Sequence, residues 1–332
     1  MQRMVWVLLL LALCPAPVRA EQTLSVAVTM AQDRDFIQAM LAAQKIGAQA
    51  TTLSLFWDET MVDGHYAPAR DWSTVANSFY PTIRVKLSLV LSVIDTVVDR
   101  RPAELRGLAW DDPALLTAFE AYATAVISRM DRVDLVSISI GNEVDGYLAS
   151  GAEWAAYQQF FIRAKAVVKR LRPSVPVGVN LTWPELNGAS GEQAQALAAQ
   201  GDVWLINHYS LDGGFAIRPP SEITATLDAM LKMAGDAPVY LAEVGYPSGG
   251  CGSDEAGQLA FYQTLFAAWD ARAARIPLIT LVWLHDLPDS EVQNLAEYYG
   301  VGGDCFARYL GTLGLRTYEG EDKPAYAWLR SR

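Results

Sequence analysis

Leu135-Val-Ser-Ile-Ser-Ile-Gly-Asn-Glu143 and Val239-Tyr-Leu-Ala-Glu243 decide how this chain folds. Each is a short apolar run that ends on an acidic side chain and gives way to loop residues, the pattern of a strand buried on both faces. In the first run Ser137, Ser139, Gly141 and Glu143 alternate with Ile138 and Ile140, so one face is small and polar while the other suits packing on helices. Outward from these two, six more runs have the same character: Ser25–Thr29, Ala50–Phe56, Lys86–Ile94, Val175–Leu181, Val203–Tyr209 and Ile279–Leu284. Helical patterns separate them, at Asp33–Lys45, Trp72–Tyr80, Pro113–Arg129, Glu153–Leu171, Gly191–Ala199, Ser221–Met233 and Asp254–Ala273. Within Glu153–Leu171, the residues Trp154, Tyr157, Phe161, Ala164, Val168 and Leu171 recur at steps of three and four, and Pro173 stops the helix before the next strand. Eight such alternations predict an α/β fold closed into a (β/α)8 TIM barrel, a single domain over 21–332. No G-x-G-x-x-G follows the first strand, which removes the marker of an open dinucleotide-binding sheet.

Residues 1–20 place Arg3 ahead of the apolar run Val5–Leu13, with Val18 and Ala20 before a cleavage point, the layout of a secretory signal. Export to the periplasm or the extracellular space is therefore expected. Leu13 beside Cys14 is too bulky for a lipid-attachment site, and no later stretch reaches the ~18 uninterrupted apolar residues of a membrane span. The net charge of −11 becomes more negative once Arg3 and Arg19 leave. Such a surface repels polyphosphate, which argues against nucleic acid and for neutral or cationic substrates. The apolar fraction of 52% predicts a well-filled core. Cys251 and Cys305, the two cysteines left after processing, read as one disulfide in an oxidising compartment, with two free buried thiols as the other reading. His65, His208 and His285 lack paired spacing, so no metal or cofactor is expected. The oligomeric state is left open by the sequence, with a monomer favoured. Gly249-Gly-Cys-Gly252 ahead of a helix looks like a phosphate loop, but Asp254 and Glu255 at the helix start would repel an anion.

In barrels of this kind chemistry collects at the carboxyl ends of the strands. Glu143 follows the fourth strand and Glu243 ends the seventh, and a charged side chain buried there without a partner costs several kcal/mol. A single such glutamate reads equally well as a helix cap or a rim ion pair. Two of them, with Asn142 before one and Gly245-Tyr-Pro247 after the other, point to one shared site. Paired carboxylates across a cleft are what glycosidic bond cleavage requires: one protonates the leaving oxygen and the other attacks the anomeric carbon. The ionised partner raises the pKa of the other and keeps it an acid.

With Trp283 at the eighth strand, these motifs resemble the clan A retaining glycoside hydrolases over essentially the whole mature chain. Ala242-Glu-Val-Gly-Tyr-Pro-Ser-Gly249 is similar to the nucleophile segment of family 17 β-1,3-glucanases, although Val244 and Tyr246 stand where a hydroxyl residue and a tryptophan are usual. Gly141-Asn-Glu-Val-Asp-Gly-Tyr-Leu148 is similar to the acid/base segment of family 53 galactanases, and Leu55-Phe-Trp-Asp-Glu59 with Gly64-His-Tyr66 to families 5 and 42. The resemblance implies a secreted retaining β-glycoside hydrolase acting on neutral oligo- or polysaccharide, like an endo-β-glucanase or a β-galactanase. It implies Glu143 as acid/base, Glu243 as nucleophile, Asn142 on the sugar 2-hydroxyl, Tyr209 (beside His208) holding the nucleophile, and Trp283 as floor of the central subsite.

Other strand-end residues are candidate subsite groups: Trp57, Asp58, Asp95, Trp183, His285 and Asp286, with Tyr147 and Tyr246 as sugar contacts. Trp72, Trp154, Trp204, Trp269 and Trp328 read as packing. The short Asp212-Gly-Gly214 loop predicts an open cleft. A sugar-binding barrel without turnover and a glycan-remodelling transglycosylase are the competing functions, both built from the same residues.

Overall fold

The computed structural model describes residues 22–332. The expected leader, Cys14 included, lies outside the described residues. The apolar runs form strands β1 (Thr23–Ala27), β2 (Ala50–Phe56), β3 (Lys86–Asp95), β4 (Leu135–Asn142), β6 (Trp204–Tyr209), β7 (Val239–Gly245) and β8 (Leu278–Val282), and β5 is made of two pieces, Val177–Gly178 and Asn180–Thr182. All pair in parallel, in the order β4, β3, β2, β1, β8, β7, β6. The first piece of β5 pairs with β4 and the second with β6, so this one broken strand closes the sheet into a barrel. The fold is the (β/α)8 barrel expected from the alternation.

Helices α1 (Phe36–Lys45), α2 (Trp72–Ile83), α3 (Pro113–Ser128), α4 (Gly151–Leu171), α5 (Gly191–Ala198), α6 (Ile223–Ala234) and α7 (Glu255–Asp270) follow the first seven strands. Their starts are chemically marked. Asp35, Asp71, Asp112 and Asp254 each accept a hydrogen bond from a first-turn N–H, and Ser150 with Glu153 forms a capping box, each cap worth about 1 kcal/mol. The sequence stops α2 at Tyr80, but the helix runs through Pro81. A proline one turn from the end forfeits a single hydrogen bond and leaves the rest of the helix intact.

The apolar faces of strands and helices meet in a core that includes Leu89, Phe119, Tyr122, Phe160, Phe161, Phe261 and Tyr262, with Trp154, Trp204 and Trp269 buried in it. Trp72 is different: it is 45% exposed, with the Arg70 guanidinium 4.8 Å from its ring centre, and so does not pack as its apolar surroundings suggest. Among the described residues no helix is long and apolar enough to cross a membrane.

The segment after β8 holds two helices that the sequence pattern did not reveal, α8 (Asp289–Tyr299) and α9 (Asp304–Gly311), before the outer helix α10 (Pro324–Ser331). Instead of flanking the barrel, α8 and α9 sit over its mouth on a second small core of Val282, Leu287, Val292, Phe306, Tyr309, Leu310 and Leu313. Cys251 and Cys305 are disulfide-bonded, Cα to Cα 5.4 Å, and tie the start of α9 to the loop after β7.

Candidate active site

The fourth strand ends in a turn that aims two neighbouring side chains the same way. Gly141 has φ +85° and Glu143 φ +45°, both left-handed. Strict alternation would send Asn142 and Glu143 to opposite faces, but the turn brings both to one cleft at the barrel mouth. A Cβ at Gly141 would lie 2.4 Å from Val144 Cγ1 and 2.6 Å from Tyr157 Oη, so only glycine fits. Opposite this turn, Thr96 is also left-handed, φ +50°. Its N–H donates to the Asn142 carbonyl at 2.9 Å and its hydroxyl to Glu143 Oε2 at 2.9 Å. Asn207 Nδ2 on β6 donates to Glu143 Oε1 at 2.9 Å.

Glu243 reaches the cleft by another device. The register of β7 shifts at Ala242 and Glu243 against both neighbours, with Ile206 opposite Leu241 and Asn207 opposite Glu243, a bulge that re-aims the side chain. The Tyr209 phenol donates to Glu243 Oε2 at 2.5 Å. Asn142 is held at both ends: Nδ2 donates to Asp95 Oδ1 at 3.0 Å, and Oδ1 accepts from Asn180 Nδ2 at 3.1 Å. Asp95 in turn accepts from the Tyr298 phenol at 2.5 Å.

Both glutamates line one cleft of about 820 Å³, walled by Trp183, Phe215, Trp283, Tyr299, Phe306 and Tyr309. Burial raises the pKa of each. It pushes Glu243 up to about 8, with repulsion from Glu143 adding to the effect and the Tyr209 hydrogen bond opposing it. Glu143 is raised by burial and by the charges of Asp145 and Asp95, against the donors Asn207 and Thr96. Burial and mutual repulsion thus hold both carboxyls above the ordinary carboxylate range, and the two titrate as a pair.

Of the residues singled out in the sequence, Asn142, Glu143, Trp183, His208, Tyr209, Glu243 and Trp283 line this cleft. His208 lies between Asn207 and Tyr209, whose side chains reach the carboxylates, and its own ring lies 3.3 Å from Ser210 Oγ. Burial lowers its pKa to about 4, which keeps it neutral. Asp95 touches the site through Asn142.

Six candidates belong elsewhere. Trp57 is 1% exposed and stacks on Tyr122 at 5.4 Å, because the one-turn helix after β2 turns its apolar ring into the core rather than the cleft. Tyr246 is 2% exposed, stacks on Phe261 at 4.7 Å and donates to the Arg218 carbonyl at 2.9 Å, so ring and hydroxyl are both used inside the fold. Asp58 pairs with Arg100 and Arg106, His285 with the Thr29 carbonyl, Asp286 with Lys323, and Tyr147 packs against Trp110. The sequence reading missed Thr96, Asn180, Asn207, Tyr298, Tyr299 and Tyr309. Asn207 had a signal, since it stands two residues before Tyr209 and shares its strand face.

No sequence-family model matches the chain, and no curated protein sequence matches it. Solved structures do. A GH5_18 protein of Streptomyces cattleya in complex with Manβ1-4GlcNAc is 15% identical with a TM-score of 0.73, over 94% of this chain and 80% of that one. A GH5_18 protein of Bifidobacterium longum, also with Manβ1-4GlcNAc, is 13% identical with a TM-score of 0.72, over 94% and 77%. The exo-β-1,4-mannosidase of Opitutaceae bacterium strain TAV5 is 16% identical with a TM-score of 0.70, over 94% and 59%. At such identities the likeness establishes the fold, the barrel shared with these proteins.

Proposed function

We propose that this chain is a retaining β-glycoside hydrolase of the clan A type, acting on β-linked neutral glycans without a cofactor. One observation carries the reading: two buried carboxylates from β4 and β7 face one cleft, each held by its own donors.

In the reactive form of the pair the proton sits on Glu143 and Glu243 is ionised: Glu143 gives its proton to the glycosidic oxygen as Glu243 attacks the anomeric carbon, and the C–O bond to the leaving group breaks as the Glu243 ester forms. Tyr209 favours the charged form of Glu243 and fixes its direction. Once Glu243 is esterified its charge is gone, the pKa of Glu143 falls, and Glu143 takes a proton from the incoming water. The water oxygen then joins the anomeric carbon and Glu243 leaves as a carboxylate. Asn142, held by Asp95 and Asn180, has a second Nδ2 hydrogen for the sugar 2-hydroxyl. Trp283 and Trp183 offer flat apolar faces to pyranose C–H groups.

The sugar is a finer question. The motifs favour β-glucan or β-galactan, and the Manβ1-4GlcNAc held by two structural neighbours adds β-mannosides to the substrates to try. Export is part of the proposal, and it is supported by a disulfide of the kind that persists in oxidising compartments. The test is Glu243→Gly assayed on a panel of aryl β-glycosides. Hydrolysis is expected to vanish and to return partly with azide, giving a β-glycosyl azide. Unchanged turnover in this variant would refute the assignment.

A further inference from the structure

The segment that carries α8 and α9 leaves the barrel after β8 and reaches β3 across the mouth. The Tyr298 phenol donates to the Asp95 side chain at 2.5 Å and to its backbone carbonyl at 3.0 Å. In the barrel order, β1 and β2 lie between β8 and β3, so the segment passes over their ends as a strap. It is firmly seated. Its apolar residues form the second core, Cys305 is bonded to Cys251, and Thr312 exchanges hydrogen bonds with Ser248 and Gly249 of the loop after β7.

The cleft shows the consequence. Its lining comes from the ends of β3 to β8 and from the strap, with nothing from the loops after β1 and β2. On the side of β5, β6 and α6 its walls are Trp183, Asn187, Phe215, Arg218, Glu222 and Thr226, a run that leads away from β3. Glu143 stands on the side of that run, where Asp145 of its own turn binds the Thr182 hydroxyl at 2.6 Å. The proton donor must touch the oxygen of the leaving group, so the leaving group extends along the run. The sugar attacked by Glu243 then lies on the other side of the carboxylates, towards Thr96 and the strap residue Tyr299, which line the same cleft.

From this we infer that the site is single-ended. It takes the terminal sugar of a β-linked chain, or of a glycoside with a bulky aglycone, and the strap leaves no room for a further sugar beyond it, contrary to the open cleft expected from the short Asp212-Gly-Gly214 loop. The inference rests on the glycosidase reading and names its substrate class, a non-reducing chain end.

The test uses the unmodified protein and two aryl β-disaccharides of the sugar found in the panel, one free and one with a benzylidene acetal capping the 4- and 6-hydroxyls of its terminal sugar. The free compound is expected to lose its terminal sugar first. The capped one is expected to remain intact, and a borohydride-reduced pentasaccharide is expected to yield monosaccharide and reduced tetrasaccharide before any shorter alditol. Release of aryl alcohol from the capped compound, or early reduced di- and trisaccharides, would overturn the single-ended site while leaving the glycosidase standing. Failure to hydrolyse any free β-glycoside would remove the underlying reading and this inference with it.

Discussion

Gly141 and Glu143 are the residues on which the geometry of the site turns. Alanine at Gly141 would force a left-handed side chain against Val144 and Tyr157, so Gly141→Ala is expected to lower stability by roughly 2–4 kcal/mol and activity by more than the fold loses. Thermal melts beside kcat/KM check it; a variant as stable and active as the parent would refute the close approach. Tyr209 holds Glu243 through one hydrogen bond to a charged group, worth about 1.5–3 kcal/mol. Tyr209→Phe is expected to cut kcat by on the order of 10–100-fold and to move the acid limb of the rate profile upward, since the lost donor favoured the ionised form of Glu243. A lower rate with an unmoved profile would mean that the phenol only packs. These positions differ in how far the sequence exposed them. Glu143, Glu243 and Tyr209 stand at strand ends, where parity and polarity are visible. Thr96 and Asn180 are small polar residues among many, and only the strand neighbours that the barrel provides make them partners of Glu143 and Asn142.

At the scale of elements, the strap is where the linear reading runs out. Its helices are short and amphipathic, and their apolar sides face a core to which residues as distant as Ala27 and Tyr209 contribute, so no local period announced that they cross the mouth. Its anchors are open to test. The disulfide closes a loop of 54 residues, worth about 4 kcal/mol in the chain-entropy model. Replacing both cysteines by serine is expected to lower the denaturation midpoint and to raise KM more than it lowers kcat, because α9 walls the cleft while the hydrogen bonds that hold the carboxylates come from Thr96, Asn207 and Tyr209. Lys323 is 3% exposed and donates to Ser248, Asp286 and the Gly314 carbonyl at 2.7, 2.6 and 2.9 Å, which ties the loops after β7 and β8 to the start of α10. Lys323→Ala would strand Asp286 as a buried carboxylate, at roughly 3–5 kcal/mol. Double replacement of Lys323 and Asp286 by apolar residues should recover much of that loss, and no recovery would argue against the ion pair as the cause.

For the whole molecule, the carboxylate pair sets a pH signature. Glu243 is raised from 4.5 to about 8 in the fold, so the folded state binds a proton there more tightly than the unfolded chain. Stability from this group is fully present below about pH 4.5 and is lost as pH rises towards 8, on the order of a few kcal/mol. His208 acts in the opposite sense. Lowered from 6.5 to about 4, it weakens the fold as pH falls through that window. Glu243→Gln is therefore expected to melt higher than the parent at pH 8 and to lose that advantage near pH 4, as calorimetry at both pH values would read. Activity of the parent is expected to decline on the alkaline side, where the raised carboxyl of Glu143 loses its proton; a rate flat to about pH 9.5 would mean that no carboxyl proton is needed.

Taken alone, the sequence determined the barrel, because eight apolar runs separated by amphipathic helices admit few other closures, and it marked the two glutamates, because charge at the end of a buried strand has no other cheap explanation. Tertiary structure alone decided which aromatic rings face the cleft and which the core, how the strap passes from β8 to β3, and that the two glutamates are buried in one cleft close enough to raise each other's pKa. Each of these depends on distances between residues far apart in the chain, and burial and Coulomb interaction act through space rather than along the backbone.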